Sequence, residues 1–357
     1  DYRTLDERVK RASSWIRQAF RGREMDGLGM RVAVAATQRI DGAVAILGAL
    51  HAGADTLLVD PAISDAELRL ILTAFGCELL VAENTAARYE DWNTHDAQEI
   101  SLPTVVGRDN AEFLTAVRSQ TGRLGFCWGN AVVLQPNPAL LGWSLAFRAF
   151  AMLNKGERFI VFRPLSTWEG MIGLLAPLAV GATAILHCGS LREVLDAANR
   201  LDLGGIWVDW EQAEALASDL NVRQRRGCWE WIYISVDSPF SVRKRRQLGR
   251  LLGAQILTAL GTPATGPIAA SPRTWFIDEA VGTPMTGVDL FPVDSLAGRL
   301  ASPPWPILAS ASVGVKSKLF APEMSFEGTA PGRFISEDVL DTGCPGMIDA
   351  NGFLYLV

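Results

Sequence analysis

Arg31-Val32-Ala33-Val34-Ala35-Ala36, an alanine- and leucine-rich run over 42–51, and Thr56-Leu57-Leu58-Val59-Asp60-Pro61 together decide the fold of this chain. The two outer pieces are short apolar runs of strand length. The middle piece is helical in length and composition. Ala52-Gly53-Ala54-Asp55 closes it, because glycine accepts the left-handed conformation that ends a helix. Strand, helix, strand is the unit of a parallel sheet. A helix over 65–75 and a strand over 78–82 continue the alternation.

The same texture runs outward in both directions. Upstream, Leu5, Val9, Ala12, Ile16 and Ala19 recur at helical spacing, with Asp6, Glu7, Lys10 and Arg11 between them, which predicts an amphipathic helix. Downstream, Val132-Val133-Leu134 leads into an apolar helix over 140–152. Strands follow at 159–162 and 183–186, with helices at 171–180 and 191–198. Further strands fall at 205–208, 231–234 and 255–257. Past Ser271 proline and glycine become frequent and the apolar runs shorten, as in an all-β region. The expectation is an α/β protein with two lobes of mainly parallel sheet, 1–130 and 131–270, and a β-rich subdomain over 271–357.

The chain has 357 residues, 49% of them hydrophobic, enough for a sizeable core. A net charge of −6 and a pI near 5.3 argue against nucleic acid as the main partner. Two basic runs stand out, Arg223-Gln224-Arg225-Arg226 and Arg243-Lys244-Arg245-Arg246. Each reads either as a solvated face or as a docking patch for an acidic partner. Cys77, Cys127, Cys188, Cys228 and Cys344 are scattered without a CxxC pair. That pattern fits buried free thiols in a reducing cytoplasm. His51, His95 and His187 lack metal-ligand spacing, so no metal site is expected. No run reaches the ~18 apolar residues of a membrane helix. No signal peptide is visible, and the opening at Asp1-Tyr2-Arg3-Thr4-Leu5 falls inside a helical pattern, so Asp1 need not be the natural start.

The ordered landmarks resemble the adenylate-forming superfamily of acyl-CoA synthetases, peptide-synthetase adenylation domains and luciferases. Tyr2-Arg3-Thr4-Leu5-Asp6-Glu7-Arg8-Val9 is similar to that family's opening helix. The unit from Arg31 to Pro61 is similar to its first strand–helix–strand. Arg163-Pro164-Leu165-Ser166-Thr167-Trp168-Glu169-Gly170 resembles its Pro-Leu-x-His-x-x-Gly segment. Val281-Gly282-Thr283-Pro284 resembles its Val-Gly-x-Pro turn. Ala321-Pro322-Glu323-Met324-Ser325 and the stretch from Asp349 to Leu356 resemble the closing segments of its large domain. Val357 then falls where the family's hinge and small C-terminal domain would begin, so that domain is expected to lie outside this sequence.

What the resemblance implies is a nucleotide site with its working residues replaced. The phosphate-loop lysine falls at Asn130, and Phe126 and Trp128 would crowd a phosphate cradle. The aromatic-Gly-x-Thr-Glu turn falls at Leu260-Gly261-Thr262-Pro263-Ala264, so Pro263 and Ala264 stand for the threonine and the magnesium-reaching glutamate. Alanine offers a hard cation no oxygen. The Thr-Gly-Asp motif falls at Thr342-Gly343-Cys344, so a thiol stands where a carboxylate would hold the ribose. The family histidine falls at Thr167 or Trp168. Removing one preorganised charge partner costs about 100-fold or more in rate. The resemblance also places an acyl pocket at Thr167, Trp168, Val208, Ser235, Val236 and Gly261, with Ser235-Val236-Asp237-Ser238 near the adenine position.

Three functions follow as expectations. The first is a non-catalytic acyl-binding or scaffolding protein of a fatty-acid, polyketide or peptide-synthetase pathway. It would need no cofactor and would meet an acidic carrier protein through 223–226 and 243–246. The second is a working acid–thiol ligase that uses ATP and magnesium, with Asp237 or Asp349 replacing the lost acids. The third is thiol chemistry at Cys344, which has no histidine near it in sequence to activate it.

Overall fold

The structure is a computed structural model. It describes residues 1–21, 29–82, 94–96, 122–129, 131–187, 190, 193–194, 203–218, 229–294, 297–301, 311–317, 325–327, 332–336 and 338–357. The chain forms two compact units. One comprises 1–139, 164–167 and 321–330, and the other 140–163, 168–320 and 331–357.

The first unit opens with helix α1 (Tyr2–Ala19), whose Ala12, Ser13 and Ile16 are buried. The Asp1 carboxylate accepts from the Thr4 N–H at 2.9 Å and caps it. Strand β1 (Arg31–Ala35), helix α2 (Ile40–Ala52), strand β2 (Asp55–Val59), helix α3 (Asp65–Phe75) and strand β3 (Leu79–Ala82) follow as the sequence predicts. Every residue of β1 and β2 is buried. Burial on both faces is why these strands read as continuous apolar runs. Ser64 and Glu67 form a reciprocal capping box that fixes the start of α3.

Four more strands complete this sheet: β4 (Thr94–Asp96), β5 (Arg123–Trp128), β6 (Ala131–Pro136) and β17 (Ser325–Glu327). The order is β17-β6-β5-β2-β1-β3-β4. Strands β5 and β6 pair antiparallel from Arg123↔Pro136 to Trp128↔Ala131. The expected lobe boundary at 130 therefore cuts a hairpin, and β6 belongs with the first sheet. Arg123 grips the buried Asp55 through Nε and Nη2, which joins β5 to β2.

The second unit contains the part of helix α4 (Asn137–Ala151) from Leu140 onward. Strand β7 (Arg158–Val161), helix α5 (Trp168–Ala179), strand β8 (Thr183–Leu186), strand β9 (Leu203–Val208) and helix α6 (Trp210–Ser218) come next. Strand β10 (Trp229–Ser235), helix α7 (Val242–Leu252), strand β11 (Gln255–Thr262), strand β12 (Gly266–Ala270) and strand β13 (Thr283–Pro284) follow. Of the helix expected over 191–198, only 193–194 are among the described residues. The sheet order is β13-β12-β11-β10-β9-β7-β8. It is parallel from β11 to β8 and antiparallel at β12 and β13. Its core is aromatic. Phe147 stacks on Trp207 at 4.6 Å, Phe159 stacks on Trp231 at 5.6 Å, and Tyr233 meets Phe147 edge-on at 5.1 Å. The Tyr233 hydroxyl donates to the Ser271 carbonyl at 2.7 Å. So the tryptophan-rich composition goes largely into packing.

Strands β14 (Val288–Asp294), β15 (Arg299–Leu300), β16 (Ala311–Ser317), β18 (Arg333–Ser336), β19 (Val339–Ile348) and β20 (Leu354–Leu356) form an antiparallel sheet. The change of texture after Ser271 marks this sheet. It clusters within the second unit rather than forming a third.

Candidate functional site

Strands β7, β9, β10 and β11 run parallel, and a parallel sheet gathers ligand-binding groups at its carboxyl ends. A polar network lies there. Trp207, near the end of β9, donates its indole N–H to the Ser235 hydroxyl at 2.9 Å. Ser235, the last residue of β10, donates to Glu169 Oε1 at 3.1 Å. Glu169 sits in the first turn of α5, where the helix dipole favours an acid. Arg163 follows β7 and pairs with Asp209 at 2.7 Å, while its distance to Glu169 Oε1 is 3.7 Å. Asp209 also caps α6. Its Oδ1 accepts from the Gln212 N–H at 2.8 Å, and its own N–H donates to Gln212 Oε1 at 2.9 Å.

The residues expected to line an acyl pocket divide around this network. Val208 and Val236 are buried, and Ser235 is half-buried within the chain of hydrogen bonds. Trp168 is buried and meets Trp207 edge-on at 5.4 Å. Its ring covers Gly261: a Cβ there would lie 2.6 Å from the indole and 2.4 Å from the Gly266 carbonyl oxygen. Thr167 falls in the first unit and donates its hydroxyl to the Pro164 carbonyl at 2.8 Å.

The turn after Gly261 uses its own polar atoms. The Thr262 and Thr265 hydroxyls lie 2.9 Å apart, and each accepts from the other residue's N–H at 3.1 Å. Thr265 Oγ1 also donates to the Gly266 carbonyl at 2.9 Å. Ala264 is wholly buried, and Pro263 is half-buried. A magnesium ion needs oxygen ligands. Ala264, to which the resemblance assigns the family acid, presents a buried methyl group, and the neighbouring hydroxyls are already used. These residues do not fit a magnesium–triphosphate. Asn130 lies outside the described residues.

The second motif is also closed on itself. Thr342 is buried, and its hydroxyl donates to the Val313 carbonyl at 2.9 Å. The Gly343 N–H donates to Asp341 Oδ1 at 3.0 Å, and the Cys344 N–H donates to Thr342 Oγ1 at 3.2 Å. Burial pushes the Cys344 thiol up. The carboxylates of Asp237 and Asp341 push the same way, against a hydrogen bond from Thr342. A nucleophilic cysteine needs the opposite shift, so the setting of Cys344 speaks against thiol chemistry there. Asp349, offered as a replacement acid, is also committed. Its Oδ1 accepts from the Asn351 and Phe353 N–H groups, both at 2.9 Å, and its Oδ2 accepts from the Tyr355 hydroxyl at 3.2 Å. These donors hold its carboxyl below the usual range. Asp237 is exposed. Among the described residues, no group of three or more His, Cys, Asp and Glu is placed to hold a metal.

The basic run 223–226 lies outside the described residues. The run 243–246 opens helix α7, and the structure corrects its reading as a uniform surface. Arg243 is exposed, whereas Arg245 is only 1% exposed. Arg245 donates to the carbonyls of Ile256, Ile277, Asp278 and Ala280 and to the Ser271 hydroxyl, at 2.9–3.2 Å. Its guanidinium lies 4.6 Å from the Phe276 ring centre. Burial lowers its pKa to about 10, with Asp278 and Glu279 opposing. Lys244 pairs with Glu214, and Arg246 pairs with Asp278 and Glu279.

Sequence reasoning missed Glu169, Arg163 and Asp209 as members of the site. Two signals were legible. Asp209 and Gln212 stand at capping-box spacing. Glu169 is an acid in an otherwise apolar helix, Trp168–Ala179, where burial obliges a carboxylate to find a donor.

Residues 1–126 match the family model described as AMP-binding enzyme. No curated protein matches the chain. Among solved structures, ATP-bound MatB from Rhodopseudomonas palustris superposes with a TM-score of 0.77 at 16% identity, over 99% of this chain and 72% of that one. O-succinylbenzoate coenzyme A synthetase (MenE) from Bacillus subtilis, in complex with ATP and magnesium, gives 0.79 at 17% identity, over 99% and 73%. The same enzyme with its acyl-adenylate intermediate OSB-AMP gives 0.78 at 18%, over 99% and 72%. At such identities the likeness is one of fold. The first third of the chain thus matches the AMP-binding enzyme model, and nearly the whole chain shares the fold of these synthetases.

Proposed function

We propose that this chain is a member of the AMP-binding, adenylate-forming family that has lost ATP-dependent adenylation and acts as a non-catalytic component that binds an acyl or similarly apolar ligand. The observation that carries this reading is Ala264, fully buried within the self-satisfied Thr262–Thr265 turn. On the alignment implied by the resemblance, this turn would offer no metal acid. Phe126, wholly buried in β5, supports the same reading, because a core strand occupies part of the stretch aligned with the phosphate loop. The setting would be a cytoplasmic fatty-acid, polyketide or peptide-synthetase pathway. An acidic carrier protein is the proposed partner, steered by Arg243, Lys244 and Arg246 on α7 together with the run 223–226. Arg245 takes no part in that surface.

The test is calorimetry with magnesium-ATP and with a non-hydrolysable acyl-adenylate analogue, using the longest natural chain. The expected result is no heat with ATP. Saturable ATP binding, or pyrophosphate exchange that needs both a carboxylic acid and magnesium, would refute the reading. It would establish the alternative, a working ligase with divergent motifs, in which Asp237 is the acid left to serve the metal.

A further inference from the structure

Helix α4 has the composition of a buried helix. Arg148 is the one charged residue of Asn137–Ala151, and a helix that is apolar all round belongs in a core. One face does pack. Trp143 and Phe147 are wholly buried, and Phe147 meets Trp207 and Tyr233 on the sheet. The other face is open. Leu141 is 55% exposed, Leu145 42%, and Met152, just past the helix, 46%. At ~3.6 residues per turn, positions 141, 145, 148 and 152 share one stripe. Among the described residues, no other helix exposes two large apolar side chains. The stripe ends on Met152, whose φ is +49°. The Leu153 N–H donates to the Arg148 carbonyl at 3.1 Å and the Met152 N–H to the Ala149 carbonyl at 3.4 Å, a closure that puts a left-handed residue after the helix. Helices α2, α3 and α7 have Gly53, Gly76 and Gly253 there. A methionine in that conformation carries strain that glycine would not. Such strain persists where the side chain is used, and methionine suits adaptable binding surfaces. Met152 also borders an open cavity of about 590 Å³, shared with Asn154 and Arg273, so the stripe ends in a recess.

Arg148 selects the occupant. It is exposed within the stripe, so a partner that covers the leucines must meet its charge with a carboxylate. A second copy of this chain would bring another Arg148 to the same stripe. Three half-exposed side chains also fall short of the ~800 Å² per partner that a stable interface buries. We propose that the outer face of α4 docks an amphipathic helix of a partner protein, with apolar residues on Leu141, Leu145 and Met152 and an acid facing Arg148. This goes beyond the carrier-protein reading, because α4 and α7 cover opposite faces of the sheet. Phe147 of α4 reaches Tyr233, whereas a Cβ on Gly249 of α7 would lie 3.6 Å from Ile256. Ile256 pairs with Ile232, the neighbour of Tyr233, and neighbouring residues of a strand point to opposite faces.

The experiment titrates the full chain, by fluorescence anisotropy, into two labelled amphipathic peptides of about four helical turns. They differ only in glutamate or lysine at the position facing Arg148. The glutamate peptide should bind saturably and at least about tenfold tighter than the lysine peptide. Arg148→Glu should reverse that order. Leu145→Ser, neutral and at an exposed position, should weaken both, and thermal melts check that each variant stays folded. Met152→Gly should weaken the glutamate peptide at least about threefold while raising the melting temperature, a pairing that a merely structural methionine would not give. Arg243→Glu on α7 should leave peptide binding unchanged, which separates failure of this surface from failure of the carrier-protein reading. Equal affinity for the two peptides, no binding of either, or loss of binding in Arg243→Glu would overturn the proposal. A concentration-dependent dimer that Leu145→Ser dissolves would also overturn it, since a second copy would then be the occupant.

Discussion

Trp168 and Gly261 occupy one another's space: the indole of the first lies where any side chain on the second would stand, 2.6 Å from an added Cβ. Trp168→Ala should therefore cost about 3–5 kcal/mol, as buried aromatic truncations do. Gly261→Ala meets a backbone oxygen at 2.4 Å as well as the ring, and overpacking of that kind costs about 1–3 kcal/mol. The double variant should be less destabilised than the sum, because the indole clash disappears with the indole. Urea unfolding of the four proteins measures this coupling. Strict additivity would show that the two residues do not share the space described.

The basic run on α7 should split sharply on mutation. Arg245→Met removes a buried guanidinium that donates to four carbonyls and a hydroxyl. Those acceptors lose a buried charged donor, and a loss of about 3–5 kcal/mol is expected. Arg243→Met, two residues away and exposed, should change stability by less than about 0.5 kcal/mol. Denaturant midpoints measured side by side decide the point. Equal effects would contradict the separation of structural and surface charge along this helix.

Burial pushes the Cys77 thiol up to about 12 and the Cys127 thiol up to about 11. An unfolded thiol titrates near ~8.5. The folded state therefore disfavours both thiolates. The corresponding stability is fully present below the unfolded value and is lost as pH rises through about 11 and 12. At pH ~8 both cysteines should resist alkylation in the native protein and react quickly in denaturant. Mass spectrometry of the two peptides reads this directly. Fast native labelling of Cys77 or Cys127 would show that the first unit opens locally.

Strands β1, β2, β3 and β10 were legible for one reason: nearly all of their residues are buried, so each reads as an apolar run. The boundary at 130 failed because Trp128 and Ala131 are partners across a hairpin, and pairing between strands leaves no mark in local composition. Arg245 failed for a related reason. Nothing in Arg243-Lys244-Arg245-Arg246 distinguishes the member that turns inward; only the helical period, which places Arg245 with Leu248 and Leu252 on the buried face, carries that information. The replacements at Pro263, Ala264 and Cys344 are legible only against the motifs that the resemblance implies. That the hydroxyls of Thr262 and Thr265 satisfy one another is a matter of turn geometry. The Glu169 site depended on residues from the ends of several elements, which sequence spacing does not bring together.

The edge of the first sheet carries a consequence for the nascent chain. Strand β6 is covered by β17, with Leu134 opposite Ser325. During synthesis the ribosome delivers β6 long before β17. Until residue 327 has emerged, the hairpin Arg123–Pro136 presents an unpaired, apolar edge, the kind of surface on which chains associate wrongly. Fragments that stop before 325 keep that edge for good. Solubility on expression should therefore change abruptly with the arrival of three residues, Ser325–Glu327.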